Sequence, residues 1–220
     1  MNFAHFFRYV QDAPWYAHFL MPVLEALRPL PPNAHVLDVG TGAGKLIELG
    51  QAAYPGLRWT GADVDEVMLA EARQRLSLHR VPLHHLQEDG RLPFEDGAFD
   101  VVTFCSVLFL LPDPEPLLQE ARRVLRPEGR LITLTPTGNG RLTFTVLRQI
   151  GWHPHNWTFF LWRTMTAGNG RAWAQKNTLP TFAQQTRAAY SQQHGFQGLA
   201  VIEVIDWVAK SSLQTSRAYA

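Results

Sequence analysis

Val36-Leu37-Asp38-Val39-Gly40-Thr41-Gly42-Ala43-Gly44 runs from a short apolar strand into glycines at every second position, and Lys45 to Ala53 then continues with helical spacing. Glycines in a strand-to-helix turn let the backbone adopt positive φ and approach a ligand closely. The spacing excludes two phosphate-binding turns. The dinucleotide pattern G-x-G-x-x-G requires glycine at position 45, where Lys45 stands. The phosphate-cradling loop requires glycine at 39 and Ser or Thr at 46, where Val39 and Leu46 stand.

Outward from this turn, apolar runs predict strands over His35–Val39, Leu57–Asp63, Leu83–Gln87, Phe99–Cys105 and Leu131–Thr135. Helical patterns separate them at Lys45–Ala53, Val67–Leu78 and Glu115–Leu125, and Arg126-Pro127-Glu128-Gly129 reads as a turn. Strands alternating with helices predict a doubly wound, mostly parallel sheet of seven strands covered on both faces. Two short helices broken at Pro14 are expected in residues 1–33, followed by a core at 34–137, a helical lid insertion at 138–180 and a closing segment at 181–220, all in one domain. Capping-box spacing at Thr181 to Gln184 predicts a helix ending at Gly195, with last strands at Leu199–Ile205 and Trp207–Leu213.

Composition narrows the class. The chain of 220 residues is 46% hydrophobic and 18% charged, which supports a packed core and excludes a disordered, collagen-like or coiled-coil chain. Twenty basic and nineteen acidic residues nearly cancel, and the basic residues of the second part are dispersed, which argues against nucleic acid as the main partner. Residues 138–220 nevertheless carry eight Lys/Arg against two Asp/Glu, together with five of the seven tryptophans. One cysteine and the absence of a leader pattern at the start lead to the expectation of a cytoplasmic protein.

Two acidic positions give the glycine turn a ligand. Asp63 closes the second strand, where a carboxylate accepts hydrogen bonds from both ribose hydroxyls. Glu88 and Asp89, before Gly90, follow the third strand at the same sheet edge, where a carboxylate accepts from an adenine amino group. Asp38 repels a pyrophosphate and suits an ammonium. An adenosine without phosphates therefore fits the set, against the alternative that each residue merely serves α/β construction.

At these residues the chain resembles the class I S-adenosylmethionine-dependent methyltransferases, in particular the small-molecule branch that includes ubiquinone and menaquinone biosynthesis enzymes. VLDVGTGAG, Gly61-Ala62-Asp63-Val64-Asp65 with Met68-Leu69, Leu92-Pro93-Phe94 with Phe99-Asp100-Val101-Val102, and Leu125-Arg126-Pro127-Glu128-Gly129-Arg130-Leu131 are similar to its motifs, in order, over roughly residues 34–137. The resemblance implies S-adenosylmethionine as cofactor and S-adenosylhomocysteine as product. It places Asp38, Gly40, Thr41, Gly42 and Gly44 at the amino acid end, Asp63 and Val64 at the ribose, either Glu88 or Asp89, with Gly90, at the adenine, and Cys105 and Ser106 at the methyl side.

The resemblance also shapes the acceptor. Thr103-Phe104-Cys105-Ser106 stands where amino-methylating relatives of adenine and glutamine carry Asn/Asp-Pro-Pro-aromatic, and no Pro-Cys nucleophile is present there. Phe109-Leu110 stands where many relatives have His-His. The expectation is a small-molecule acceptor, aromatic or amphiphilic, bound near Tyr16, Phe109, Trp152 and Trp157, with His153 and His155 as the remaining candidate bases and no metal. Trp157 to Trp162 admits three readings: core packing, a lid over the acceptor, or a peripheral contact with an anionic membrane. The alternatives to methyl transfer are a binding module that methylates nothing and transfer of another group from the same cofactor. Oligomeric state is left open.

Overall fold

The computed structural model describes residues 3–27, 30–78, 80–87, 89–140, 144–151 and 153–207, with backbone alone at 3–6, 145, 147 and 149. Two N-terminal helices, α1 (Phe3–Gln11) and α2 (Pro14–Ala26), precede the sheet. Pro14 stands in the first turn of α2, where its missing N–H costs nothing. The alternating part comprises β1 (His35–Val39), α3 (Lys45–Ala53), β2 (Arg58–Asp63), α4 (Glu66–Arg75), β3 (Leu83–His85), β4 (Phe99–Cys105), α5 (Glu115–Val124) and β5 (Leu125–Pro136). Then come α6 (Phe144–Ile150), α7 (Trp157–Lys176), α8 (Thr178–Gln185), β6 (Ala189–Gly195) and β7 (Ala200–Asp206).

The seven strands lie in the order β3-β2-β1-β4-β5-β7-β6. The first five are parallel, whereas β7 runs antiparallel to β5 and to β6. Between β1 and β4 the direction of winding reverses, and in open α/β sheets ligands bind in the crevice at that switch point. Strand pairing sets Asp38 opposite Gly61 on one side and Thr103 on the other.

Apolar residues cover both faces. On one, α2 and the first half of α7 bring Trp15, Phe19, Phe159 and Trp162 together with Phe196, and the Trp15 Nε1–H donates to Thr158 Oγ1 at 2.9 Å. On the other, Leu118, Phe182 and Trp173 pack over Leu37, Val102 and Leu131. Helix α7 contributes to both cores because it crosses the end of β5, where Gly170 lies against the Pro136 carbonyl.

Three expectations change. The helix expected from Thr181 to Gly195 ends at Gln185, and residues 189–195 form β6 instead. Arg187 takes φ +56°, which breaks the helix, and Ser191-Gln192-Gln193 lie exposed on an edge strand, so no apolar alternation announced it. The turn expected at 126–129 lies inside β5 as a bulge: pairing jumps from Phe99–Leu125 to Val101–Arg130. Of the strand expected at 207–213, Trp207 is not in a strand but donates its N–H to the Gly129 carbonyl at 3.1 Å, and the rest lies outside the described residues.

A Cβ on residue 170 would stand 2.1 Å from the Pro136 oxygen. Gly170→Ala is expected to cost about 1–3 kcal/mol in a denaturant melt, since the backbones must move apart.

Candidate functional site

The turn after β1 is tied to the end of β2. Gly40 and Thr41 donate their backbone N–H groups to the Ala62 carbonyl at 2.8 and 3.1 Å, and Gly42 donates to Asp63 Oδ2 at 2.7 Å. Gly40 has φ +74°, and a Cβ there would stand 2.2 Å from the Val107 side chain, so the turn after β1 and the turn after β4 touch through a missing side chain. Asp63 Oδ1 also accepts from the Asp65 N–H at 3.0 Å. Asp65 in turn caps α4, accepting from Val67 and Met68 at 2.8 and 3.2 Å.

Asp38 is buried, and Thr103 Oγ1 donates to its Oδ1 at 2.7 Å from the neighbouring strand. Burial pushes the Asp38 carboxyl up to about 6, against the Thr103 hydrogen bond, with the Asp63 charge adding to the rise. Burial also raises Asp63, although the Asp65 and Gly42 N–H groups oppose it. Ionising Asp38 thus weakens the fold: the contribution is intact below the ordinary carboxylate range and is lost as pH rises through about 6.

These groups open into a cavity of about 680 Å³, a size that suits a small-molecule ligand. Asp38, Gly40, Thr41, Gly42, Asp63, Val64, Asp89, Gly90, Cys105 and Ser106 all line it, while Gly44 sits one turn behind, opening α3 with φ +80°. Ser106 adopts φ +61° without being glycine, and its buried Oγ has no hydrogen-bond partner among the described residues. Burial and the Asp38 charge raise the Cys105 thiol well above its ordinary value.

The rest of the wall comes from the N-terminal helices and the turn after β4. Tyr16 lines the cavity together with Phe7, Gln11 and Leu20, facing Val107, Leu110 and Leu111. Burial, Cys105 and Asp38 raise the Tyr16 phenol far above its usual range. Phe109 does not line the cavity, because the short 3₁₀ helix Leu108–Leu110 turns it into the core. Trp157, His153 and His155 also lie off the wall; the His155 ring stands 4.2 Å from that of Tyr9 and 5.0 Å from that of His153. Their placement follows from α7, which turns Phe159 and Trp162 inward and leaves Trp157 and Phe160 about half exposed. Glu88 and Trp152 lie outside the described residues. Sequence reading missed Phe7, Gln11 and Leu20, since an amphipathic helix shows which face is buried but not whether a cavity lies beneath it.

Residues 37–133 match the protein-family profile described as a methyltransferase domain. The demethylmenaquinone methyltransferase of Thermus thermophilus is 40% identical over 119 residues, covering 52% of this chain and 54% of that protein. A ubiquinone/menaquinone biosynthesis C-methyltransferase of Desulfotalea psychrophila is 36% identical over 107 residues, covering 49% of this chain and 43% of that protein. The chain thus spans about half the length of these curated relatives. A SAM-dependent methyltransferase from Aquifex aeolicus has the same fold, with a TM-score of 0.63 over 94% of this chain and 100% of that one at 19% identity. Fold and motifs together liken residues 37–133 to the methyltransferase domain of that profile, built on the sheet seen in the Aquifex aeolicus protein.

Thr103→Val keeps the shape of the strand and removes the donor to Asp38. The Asp38 titration midpoint, read by carbon-13 NMR, is expected to rise further above about 6, by roughly one pH unit or more. An unchanged midpoint would show that this hydrogen bond does not hold the carboxylate.

Proposed function

We propose that the chain transfers a methyl group from S-adenosylmethionine to a small aromatic or amphiphilic acceptor. The observation that carries this reading is the single cavity wall in which the glycine turn, Asp38, Asp63 and Asp89 meet an apolar chamber at the switch point of the sheet. Asp38 would take the ammonium of the amino acid end, Asp63 the ribose hydroxyls, Asp89 or Glu88 the adenine, and Val64 and Gly90 the faces beside them. The buried Ser106 Oγ supports the fit, because an orphaned hydroxyl in a cavity wall needs a ligand or water.

The bound cofactor supplies an electrophilic methyl on a sulfonium. The protein's contribution is position and exclusion of water. Phe7, Leu20, Val107, Leu110 and Leu111 form the apolar side, while Cys105 and Ser106 mark the methyl side. Burial holds the Cys105 thiol and the Tyr16 phenol protonated, so both act as neutral wall groups. The aromatic run of α7 does not fill the chamber, which favours an enzyme over a binding module.

A finer reading concerns where the acceptor is met. Trp157, Phe160, Leu161 and Met165 are exposed at helical spacing on α7, and no Asp or Glu occurs between Glu128 and Glu203. Arg163, Arg171 and Lys176 share this helix. The combination supports peripheral contact with an anionic membrane; among the described residues no helix is long and apolar enough to cross one. Sedimentation with phosphatidylcholine vesicles is expected only when phosphatidylglycerol is added, and Phe160→Glu or high salt should abolish it. Equal binding to neutral vesicles, or none to either, would remove the membrane reading.

Calorimetric titration is expected to give micromolar affinity for S-adenosylmethionine and S-adenosylhomocysteine and none for NAD, after which quinones, phenols and amphiphilic amines form the acceptor screen. Asp63→Ala should weaken binding by about 1.5–3 kcal/mol, roughly 10- to 150-fold. Affinity should fall as pH drops through about 6, where Asp38 loses the charge that holds the ammonium. Absence of binding by either sulfur compound in folded protein would overturn the reading.

A further inference from the structure

The geometry points to Gln11 and Tyr16 as a carboxylate clamp: two donors from the N-terminal helices that hold the carboxylate of the cofactor's amino acid end, opposite the Asp38 that takes its ammonium. The inference rests on the cofactor reading above.

Gln11 is only 4% exposed, yet it is polar and lines the cavity beside Tyr16, Asp38 and Gly42. Its orientation is dictated by Arg75, whose Nη1 lies 3.3 Å from Gln11 Oε1. A guanidinium only donates, so the atom it meets must be the amide oxygen, and the amide N–H₂ is left to face the glycine turn. There, Nε2 lies 2.8 Å from where a Cβ on Gly42 would stand. Arg75 is itself anchored, paired with Asp12 and 3.9 Å from Glu48, with a side chain 6% exposed. Helix α1 is thereby bound to α4, and Arg8 adds a pair with Glu71 and a 2.9 Å bond to Gln74.

An amide nitrogen offers two donors. Tyr16 lines the same wall, and burial keeps its phenol protonated, so its hydroxyl is a second donor there. A ligand between Gly42 and Asp38 would thus share the cavity wall with an amide N–H, a phenolic O–H and a carboxylate. Two convergent donors match the two oxygens of a carboxylate, and the adjacent Asp38 matches an ammonium. An α-amino acid group presents both. The competing source of the same oxygen chemistry is the methyl acceptor itself, and the test separates the two.

The probes are S-adenosylhomocysteine and 5′-deoxy-5′-methylthioadenosine, which lacks the amino acid end, titrated by calorimetry into wild-type protein and variants. Gln11→Ala is expected to weaken S-adenosylhomocysteine roughly tenfold or more while leaving methylthioadenosine within a factor of about two. Gln11→Glu, nearly isosteric but repelling a carboxylate, should weaken the first probe further and again spare the second. Arg75→Met should weaken S-adenosylhomocysteine in wild type but add nothing in the Gln11→Ala background, because a positioning residue that acts through Gln11 has nothing left to position.

Equal loss for both probes would show only a disturbed helix and overturn the clamp. Unchanged affinity for S-adenosylhomocysteine would also overturn it, and a raised acceptor KM in the same variant would reassign Gln11 to the acceptor. Full additivity of the Arg75 and Gln11 losses would remove the positioning role. Wild-type protein that binds neither probe fails the cofactor reading itself, a result distinct from all of these.

Discussion

A carboxylate at the carboxyl end of the central strand has lost its water and must be held by something else. Asp38 is in that position, buried between β2 and β4, and the parallel pairing that buries it also sets Thr103 opposite as a donor. One neutral hydroxyl does not replace full hydration, so the carboxyl titrates near 6 rather than in its usual range. Asp63 lies on the next strand and shares the same cavity, and its charge adds to the imbalance. The site therefore stores an electrostatic deficit that a cation relieves. An ammonium-bearing ligand is favoured by the same burial that disfavours the ionised empty site.

The glycine turn follows from that geometry. Its first residues are bonded to the end of β2, and its third hands an N–H to Asp63. The turn after β4 closes against it through Val107, in the space left by the absent side chain of Gly40. Two loops from adjacent strands thus interlock around one cavity, and a side chain at Gly40 would push the other away. Ser106, left-handed and with an orphaned hydroxyl, sits where the two meet. Backbone strain gathers at this point of the molecule, supported by strands buried on both faces.

The cavity wall away from the sheet is built differently. It depends on α1 and α2, which are held from behind by two unlike sets of contacts. Ion pairs and amides bind α1 to α4, whereas a cluster of Trp15, Phe19, Phe159, Trp162 and Phe196 binds α2 to α7. The aromatic cluster excludes water and gives α2 a rigid seat. The polar seam is partly exposed and salt-sensitive, so α1 is the more weakly held of the two walls. Helix α7 serves the site indirectly: it buries one face in the aromatic cluster and leaves the other to the surroundings.

Strand periodicity, proline and glycine punctuation and the order of the motifs marked the parallel sheet, the glycine turn and the acidic positions Asp38, Asp63 and the pair Glu88 and Asp89 from the sequence alone. These signals are local: each is written within about ten residues by the period of a strand or the φ demanded by a turn. The edge strand β6 escaped because its exposed polar residues carry no alternation, and the bulge in β5 escaped because its turn-like residues 126–129 are carried within the strand, unpaired with β4, between the Leu125 and Arg130 pairings. The partition of the aromatics was likewise decided by tertiary structure. Trp157 and Trp162 are alike in sequence, but the crossing of α7 over the end of β5 turns one outward and the other into the core. Gln11 and Arg75, 64 positions apart, read as ordinary helix-surface residues until α1 folds onto α4. What joins them is a contact between distant segments, and no periodicity within either segment encodes it.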